Sequence, residues 1–175
     1  MTFPDILRPT GYPFRMQKLY LQHDGRITAY HEAWMHNDAI TEHWGDLGQK
    51  GETREHRRDP KLSEEENLAL VLARAIEKGY QSIDPDDEVP LIVEYRVKGF
   101  GTPEDLNKRH ALEDRLNEAL GWAGLGACDG GSIGSDTMEV CCYVVDFEVA
   151  KRVIEANLAD SQFSDFNRIY DESAE

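Results

Sequence analysis

From Met16 onward, apolar and polar positions alternate with a period of two. Lys18 to Gln22 has the pattern of a half-buried strand, and Asp24-Gly25 behind it is a hairpin turn signal. Arg26 to Asn37 continues the alternation, with Ile27, Ala29, Ala33 and Met35 in one phase and Tyr30 and Trp34 in the other. Asn37-Asp38 turns the chain into a third strand, Ile40 to Trp44. His43 to Gly51 then places three glycines and a Trp in a short stretch, the makings of a tight, shaped turn. Glu52 to Arg58 alternates in side-chain direction while staying polar, as suits an edge strand with a solvated face. Beyond it the period becomes helical. Ser63 and Glu66 form a capping box, and Leu68, Val71, Leu72, Ala75 and Ile76 recur on one face up to Gly79.

Ile83 to Glu88 is acidic, turn-prone and nearly without apolar residues, so the spacing predicts a domain boundary there. The expected organisation is an extended lead-in (1–15), a first domain (16–83), an acidic linker (84–88) and a second domain (89–172). In the second domain Leu91, Val93, Tyr95 and Val97 share one strand face, and Glu94, Arg96 and Lys98 share the other. Thr102-Pro103 opens a helix whose apolar side is Leu106, Leu112, Leu116, Ala119 and Leu120. The glycine-rich stretch Asp129 to Asp136 reads as a hairpin connection. Met138 to Val145 reads as a central strand, Asp146 as the cap of a third helix, and Phe166 to Tyr170 as a last strand. The fold class expected is α+β: an antiparallel sheet with one helix, then a ferredoxin-like β-α-β-β-α-β plait. The open face of that second sheet would carry Glu94, Arg96, Cys141 and Tyr143. Of these, Glu94, Arg96 and Tyr143 are the candidate partner-binding residues.

Composition sharpens this picture through charge. The 175 residues carry a net charge of −15. Residues 1–84 hold 11 Lys and Arg against 14 Asp and Glu, and residues 85–175 hold 8 against 20. Such acidity disfavours non-specific nucleic-acid binding, which needs clustered cations, and suits a basic partner for the second half. No apolar run approaches the length of a membrane span, and the first ten residues lack the basic-then-apolar order of a secretory leader. Cytoplasmic residence is therefore expected. Cys128, Cys141 and Cys142 are odd in number and without C-x-x-C spacing, consistent with reduced, buried thiols.

Trp44-Gly45-Asp46-Leu47-Gly48-Gln49-Lys50-Gly51, with the following helix ending Glu77-Lys78-Gly79-Tyr80, resembles a WGR domain over residues 16–83. That family is named for a Trp-Gly-Arg motif. In poly(ADP-ribose) polymerases it contacts DNA ends and neighbouring domains. The resemblance implies nucleic-acid contact through the motif Trp and Arg. Trp44 and Gly45 carry over, whereas Asp46 stands where the Arg would be and would repel phosphate. A basic strip of Lys50, Arg54, Arg57 and Arg58, interrupted by Glu52, Glu55 and Asp59, is the remaining candidate surface, with Trp44 for stacking.

Candidate chemistry is sparse. Asp129 to Asp136 is glycine-rich but lacks a Gly-Lys-Ser/Thr ending, and its two flanking carboxylates would repel an anion. His31, His36, His43 and His56 are scattered over the front sheet without metal-ligand spacing, so no metal or cofactor is expected. No nucleophile motif accompanies the thiols or serines. The resulting expectation is a non-enzymatic protein-interaction protein, acidic and of bacterial type. One concrete version is an immunity or inhibitor protein that binds a basic toxin such as a nuclease. The alternative is a nucleic-acid-binding adaptor acting through Trp44, Lys50, Arg54, Arg57 and Arg58. A homodimer is compatible with either.

Overall fold

The structure, a computed structural model, describes residues 16–174, so the expected lead-in over 1–15 lies outside the described residues. The described residues are mixed α+β, with two antiparallel four-stranded sheets and three helices. It forms two compact units that divide between Asp86 and Asp87.

In the first unit, β1 (Met16–His23), β2 (Arg26–His36), β3 (Ala39–Asp46) and β4 (Glu52–Arg57) lie in sequential order. Asp24 and Gly25 both take positive φ, 51° and 76°, which matches the right-handed twist of the hairpin they join. Asn37, at φ 54°, opens the second two-residue turn. Between Leu21 and Gln22 the β1–β2 register slips by one residue, so Lys18 faces Glu32 and Leu19 faces His31. The helix α1 (Glu64–Glu77) starts at the Ser63–Glu66 capping box and runs to a left-handed Gly79. Its Leu68, Leu72 and Ala75 pack on Leu19, Ala33, Met35 and Ile40 of one sheet face. Ile76, expected on that apolar face, is instead exposed. The β1 edge is paired at Tyr20 by Gln81 through two backbone hydrogen bonds, and the opposite edge, β4, is polar throughout.

The second unit follows a single helical turn at Pro85–Asp87. Its elements are β5 (Val89–Arg96), α2 (Pro103–Trp122), β6 (Gly126–Gly134), β7 (Thr137–Val144), α3 (Phe147–Leu158) and β8 (Arg168–Asp171). The sheet order is β6-β7-β5-β8, antiparallel throughout. Leu91, Val93, Tyr95, Met138, Val140, Cys142 and Val144 form the buried sheet face, together with Leu112, Leu116 and Leu120 of α2 and Ala150, Ile154 and Leu158 of α3. The Tyr95 hydroxyl crosses this core to donate to the Phe163 carbonyl at 2.7 Å. Leu106 is exposed rather than part of the α2 apolar side.

The glycine-rich stretch departs from its expected role as a connection. Asp129 to Gly134 is the second half of strand β6, and only Ser135-Asp136 makes the turn, at φ 51° and 67°. At Gly131 two backbones approach closely. A Cβ on Gly131 would lie 2.1 Å from the Glu139 carbonyl oxygen, beside a bulge between Cys128 and Gly131.

Among the described residues, no helix is long and apolar enough to cross a membrane.

Candidate functional site

Two polar arrangements stand out in each unit. In the first, the sheet pairing places Trp44 opposite His31 on β2 and opposite Glu52 on β4. The His31 ring stacks on the indole with centroids 5.7 Å apart and an interplanar angle of 24°. The Arg54 guanidinium lies 5.3 Å from the indole centroid. The Trp44 ring is thus engaged within its own sheet by an imidazole and a guanidinium. Directly behind, the Glu42 carboxylate takes His31 Nε2 at 2.7 Å and His56 Nε2 at 2.6 Å, one on each oxygen. Burial pushes the Glu42 carboxyl up, but the hydrogen bonds from His56 and His31 more than offset it, and its pKa lies below the ordinary value.

The remaining members of the basic strip do not form one surface. Arg54 pairs opposite Glu42, and Arg57 opposite Ala39, so the two arginines point to opposite sides of the sheet. Lys50 lies in the glycine-rich turn before β4, and Arg58 just after it.

On the sheet face away from α1 lies a buried polar cluster. His43 Nδ1 is 2.7 Å from Glu32 Oε1, and His43 Nε2 is 2.6 Å from the Lys50 carbonyl oxygen. The Tyr30 hydroxyl lies 3.0 Å from the same Nε2, so the imidazole ties Glu32, Tyr30 and the Lys50 carbonyl together. The second Glu32 oxygen faces Lys18 Nζ at 3.2 Å. Burial would raise the Glu32 carboxyl, yet Lys18 and His43 hold it below its ordinary value. Burial would likewise lower the Lys18 ammonium, and Glu32 raises it overall. The Tyr30 hydroxyl donates to the Gln49 carbonyl at 2.9 Å. Tyr30 and His43 therefore hold the glycine-rich turn by its carbonyls. Gly51 is required there: its φ is +70°, and a Cβ would lie 2.3 Å from the Trp44 carbonyl oxygen.

In the second unit, the sheet face away from the helices carries the three candidate partner residues, but not as one cluster. Tyr143 pairs opposite Pro90 and Arg96 opposite Thr137, so they stand at opposite ends of β5 and β7, about 20 Å apart at the strand rise. Glu94 lies between them and is buried. Its carboxylate accepts from Arg168 Nε at 3.1 Å and Nη2 at 2.9 Å, and from Asn167 Nδ2. The Arg168 hydrogen bonds hold the Glu94 carboxyl below its ordinary value. Glu94 is therefore committed to ordering the start of β8. The same Arg168 sits 4.0 Å from the Tyr170 ring centroid, and the Tyr170 hydroxyl donates to Glu139, which also accepts from Ser132. Burial, together with Glu139, pushes the Tyr170 phenol up to about 12.

The Tyr143 end differs. Tyr143 is 40% exposed. Its phenol is pushed up by the neighbouring Cys141 thiol, by burial, and by the carboxylates of Asp129, Glu172 and Glu88. Cys141 beside it is pushed up to about 11, by burial first and then by Glu172 and Asp129. An accessible aromatic ring thus lies within electrostatic range of carboxylates from β6, from the turn after β8 and from the residue preceding β5. Sequence reading named Tyr143 as a candidate partner residue but did not connect it with these acids, which lie far from it in the chain or on a neighbouring strand. Among the described residues, no group of three or more His, Cys, Asp or Glu is placed to hold a metal ion.

No family model, no curated protein and no solved structure matches this chain.

Proposed function

We propose that this chain is a non-enzymatic protein-interaction protein whose second unit binds a basic protein at the Tyr143 end of its exposed sheet face. The observation that carries this reading is the accessible Tyr143 ring, within electrostatic range of Asp129, Glu172 and Glu88, on the half of the chain that holds most of the net negative charge. An aromatic anchor with surrounding carboxylates suits a Lys- or Arg-rich surface, the anchor supplying contact area and the acids steering encounter. An immunity or inhibitor protein that masks a basic toxin, such as a nuclease, is the concrete form. We assign the second unit to the ferredoxin-like plait on its β-α-β-β-α-β order and its β6-β7-β5-β8 sheet. The first unit we assign to a WGR-like domain on the Trp44 to Gly51 turn and the helix that follows it.

The nucleic-acid reading ranks below this one. Trp44 is already stacked against His31 and Arg54, and Arg54 and Arg57 lie on opposite sheet faces. The test is stoichiometric complex formation from the native cell by wild type, Tyr143→Ala and Glu172→Lys. The expected result is a salt-sensitive complex with a basic protein that both substitutions weaken. Recovery of nucleic acid alone, or of a protein that binds both variants as tightly as wild type, overturns the proposal.

A further inference from the structure

Phe100 is 88% exposed, the most accessible of the large apolar side chains among the described residues. It stands at the tip of the loop between β5 and α2, between Gly99 at φ +59° and Gly101 at φ +75°. The loop is pinned rather than loose. Gly99 N–H donates to Asp136 Oδ1 at 2.7 Å, and Asp136 N–H donates back to the Gly99 carbonyl at 2.9 Å. Val97 N–H donates to the Asp136 carbonyl at 3.0 Å, and Gly101 N–H to the Lys98 carbonyl at 2.9 Å. Gly101 fits so closely on the β6–β7 hairpin that a Cβ would lie 2.5 Å from Ile133 Cγ2. Immediately after it, the Thr102–Asp105 capping box fixes the start of α2. Two left-handed glycines and a reciprocal pair of hydrogen bonds therefore hold an aromatic ring out in water.

A loop backbone fixed in advance loses little freedom on binding, which suits it to present an interface anchor. Arg96 and Lys98 precede it in the chain, against Glu104 and Asp105 after it and Asp136 on the hairpin that holds Gly99, in a half of the chain with 20 acidic and 8 basic residues. That charge repels anionic lipid, nucleic acid and a second copy of the same surface, and favours a cationic one. We propose that Phe100 is a second anchor, inserting into an apolar pocket rimmed by Lys or Arg on a basic protein partner. This rests on the reading of a basic partner but uses a different surface, at the hairpin end of the unit.

The experiment places the photocrosslinking residue p-benzoylphenylalanine at position 100, and separately at position 143, in the full-length protein in its native cell. The expected result is an adduct at position 100 with one basic protein. In purified form, that protein should bind Phe100→Ala at least about tenfold more weakly than wild type, a loss of about 1.4 kcal/mol. Because the side chain is exposed, Phe100→Ala should keep the wild-type circular dichroism spectrum and melting temperature. A variant that loses either is replaced by Phe100→Ser. An adduct with lipid, nucleic acid, an acidic protein or a second copy of this chain overturns the inference, as does no adduct at 100 or binding unchanged by the substitution. An adduct with a basic protein at 143 but none at 100 sinks the Phe100 inference alone, whereas the absence of a basic protein at both positions sinks the reading on which it rests.

Discussion

Glu32→Gln would remove a single negative charge from the buried cluster of the first unit while keeping its shape. Lys18 Nζ, 3.2 Å from the carboxylate, would then lack its counter-ion and His43 Nδ1, at 2.7 Å, its charged hydrogen-bond partner, and the side chains of His43 and Glu32 are 1% and 4% exposed. Removing one partner of a buried pair costs about 3–5 kcal/mol, because the remaining charge stays desolvated. For a unit of this size, that corresponds to a fall in melting temperature of at least about 12 °C. The assay is urea unfolding at neutral pH, followed by Trp fluorescence in a Trp122→Phe background. Trp34 and Trp44 then report the first unit alone. The pH dependence adds a second check. The folded Glu32 carboxyl is depressed, so its contribution is present above the unfolded value of about 4.3 and is lost as pH falls through the folded value. The gap between wild type and variant should therefore be full at neutral pH and close in acid. Adding Lys18→Met to Glu32→Gln should recover part of the loss, since the stranded ammonium goes with it. A difference under about 1 kcal/mol at neutral pH, or one that persists unchanged into acid, would refute the reasoning.

Gly51→Ala would force a Cβ to within 2.3 Å of the Trp44 carbonyl oxygen at φ +70° and should cost more than about 1 kcal/mol. Gly25→Asn, where a Cβ meets nothing within 4 Å, should be near neutral in the same urea titration. In the second unit, Tyr95→Phe strands the Phe163 carbonyl and should cost about 1 kcal/mol, read as a shift in the thermal transition monitored at Trp122.

Much of the first sheet was legible because its turns are explicit. Asn37-Asp38 is a two-residue turn, so pairing His36 with Ala39 puts Glu32 opposite His43 and His31 opposite Trp44 by counting alone. Lys18 was not legible in this way. Counting back from Asp24-Gly25 sets it against His31, and only the slip between Leu21 and Gln22 brings it to Glu32 and moves it to the other face. Nothing in the side chains there announces the slip. The capping box at Ser63 and the helix start at Thr102 were readable because they are local. Gly131 misled for the opposite reason. Its need is a carbonyl on β7, and a glycine that yields to a neighbouring strand looks in sequence like one that makes a turn. The same holds for Glu94, whose polar character marked it as solvent-facing, while its partners Asn167 and Arg168 lie over 70 residues away and arrive only through β8.

Glu42 grips one imidazole from each flanking strand, His31 on β2 and His56 on β4, with a separate oxygen for each. The three positions are therefore coupled as a set, and the effect of changing one depends on the other two. Drift through single replacements would pass through a carboxylate left with half its partners, so in related chains these positions should change together or hold together. The same coupling bears on recombination. A crossover in the turn between Asp46 and Glu52 takes His56 from one parent and Glu42 from the other, whereas a crossover beyond Arg57 transmits the triplet intact. Chimeras should survive the second cut more often than the first, even though both fall outside the strands.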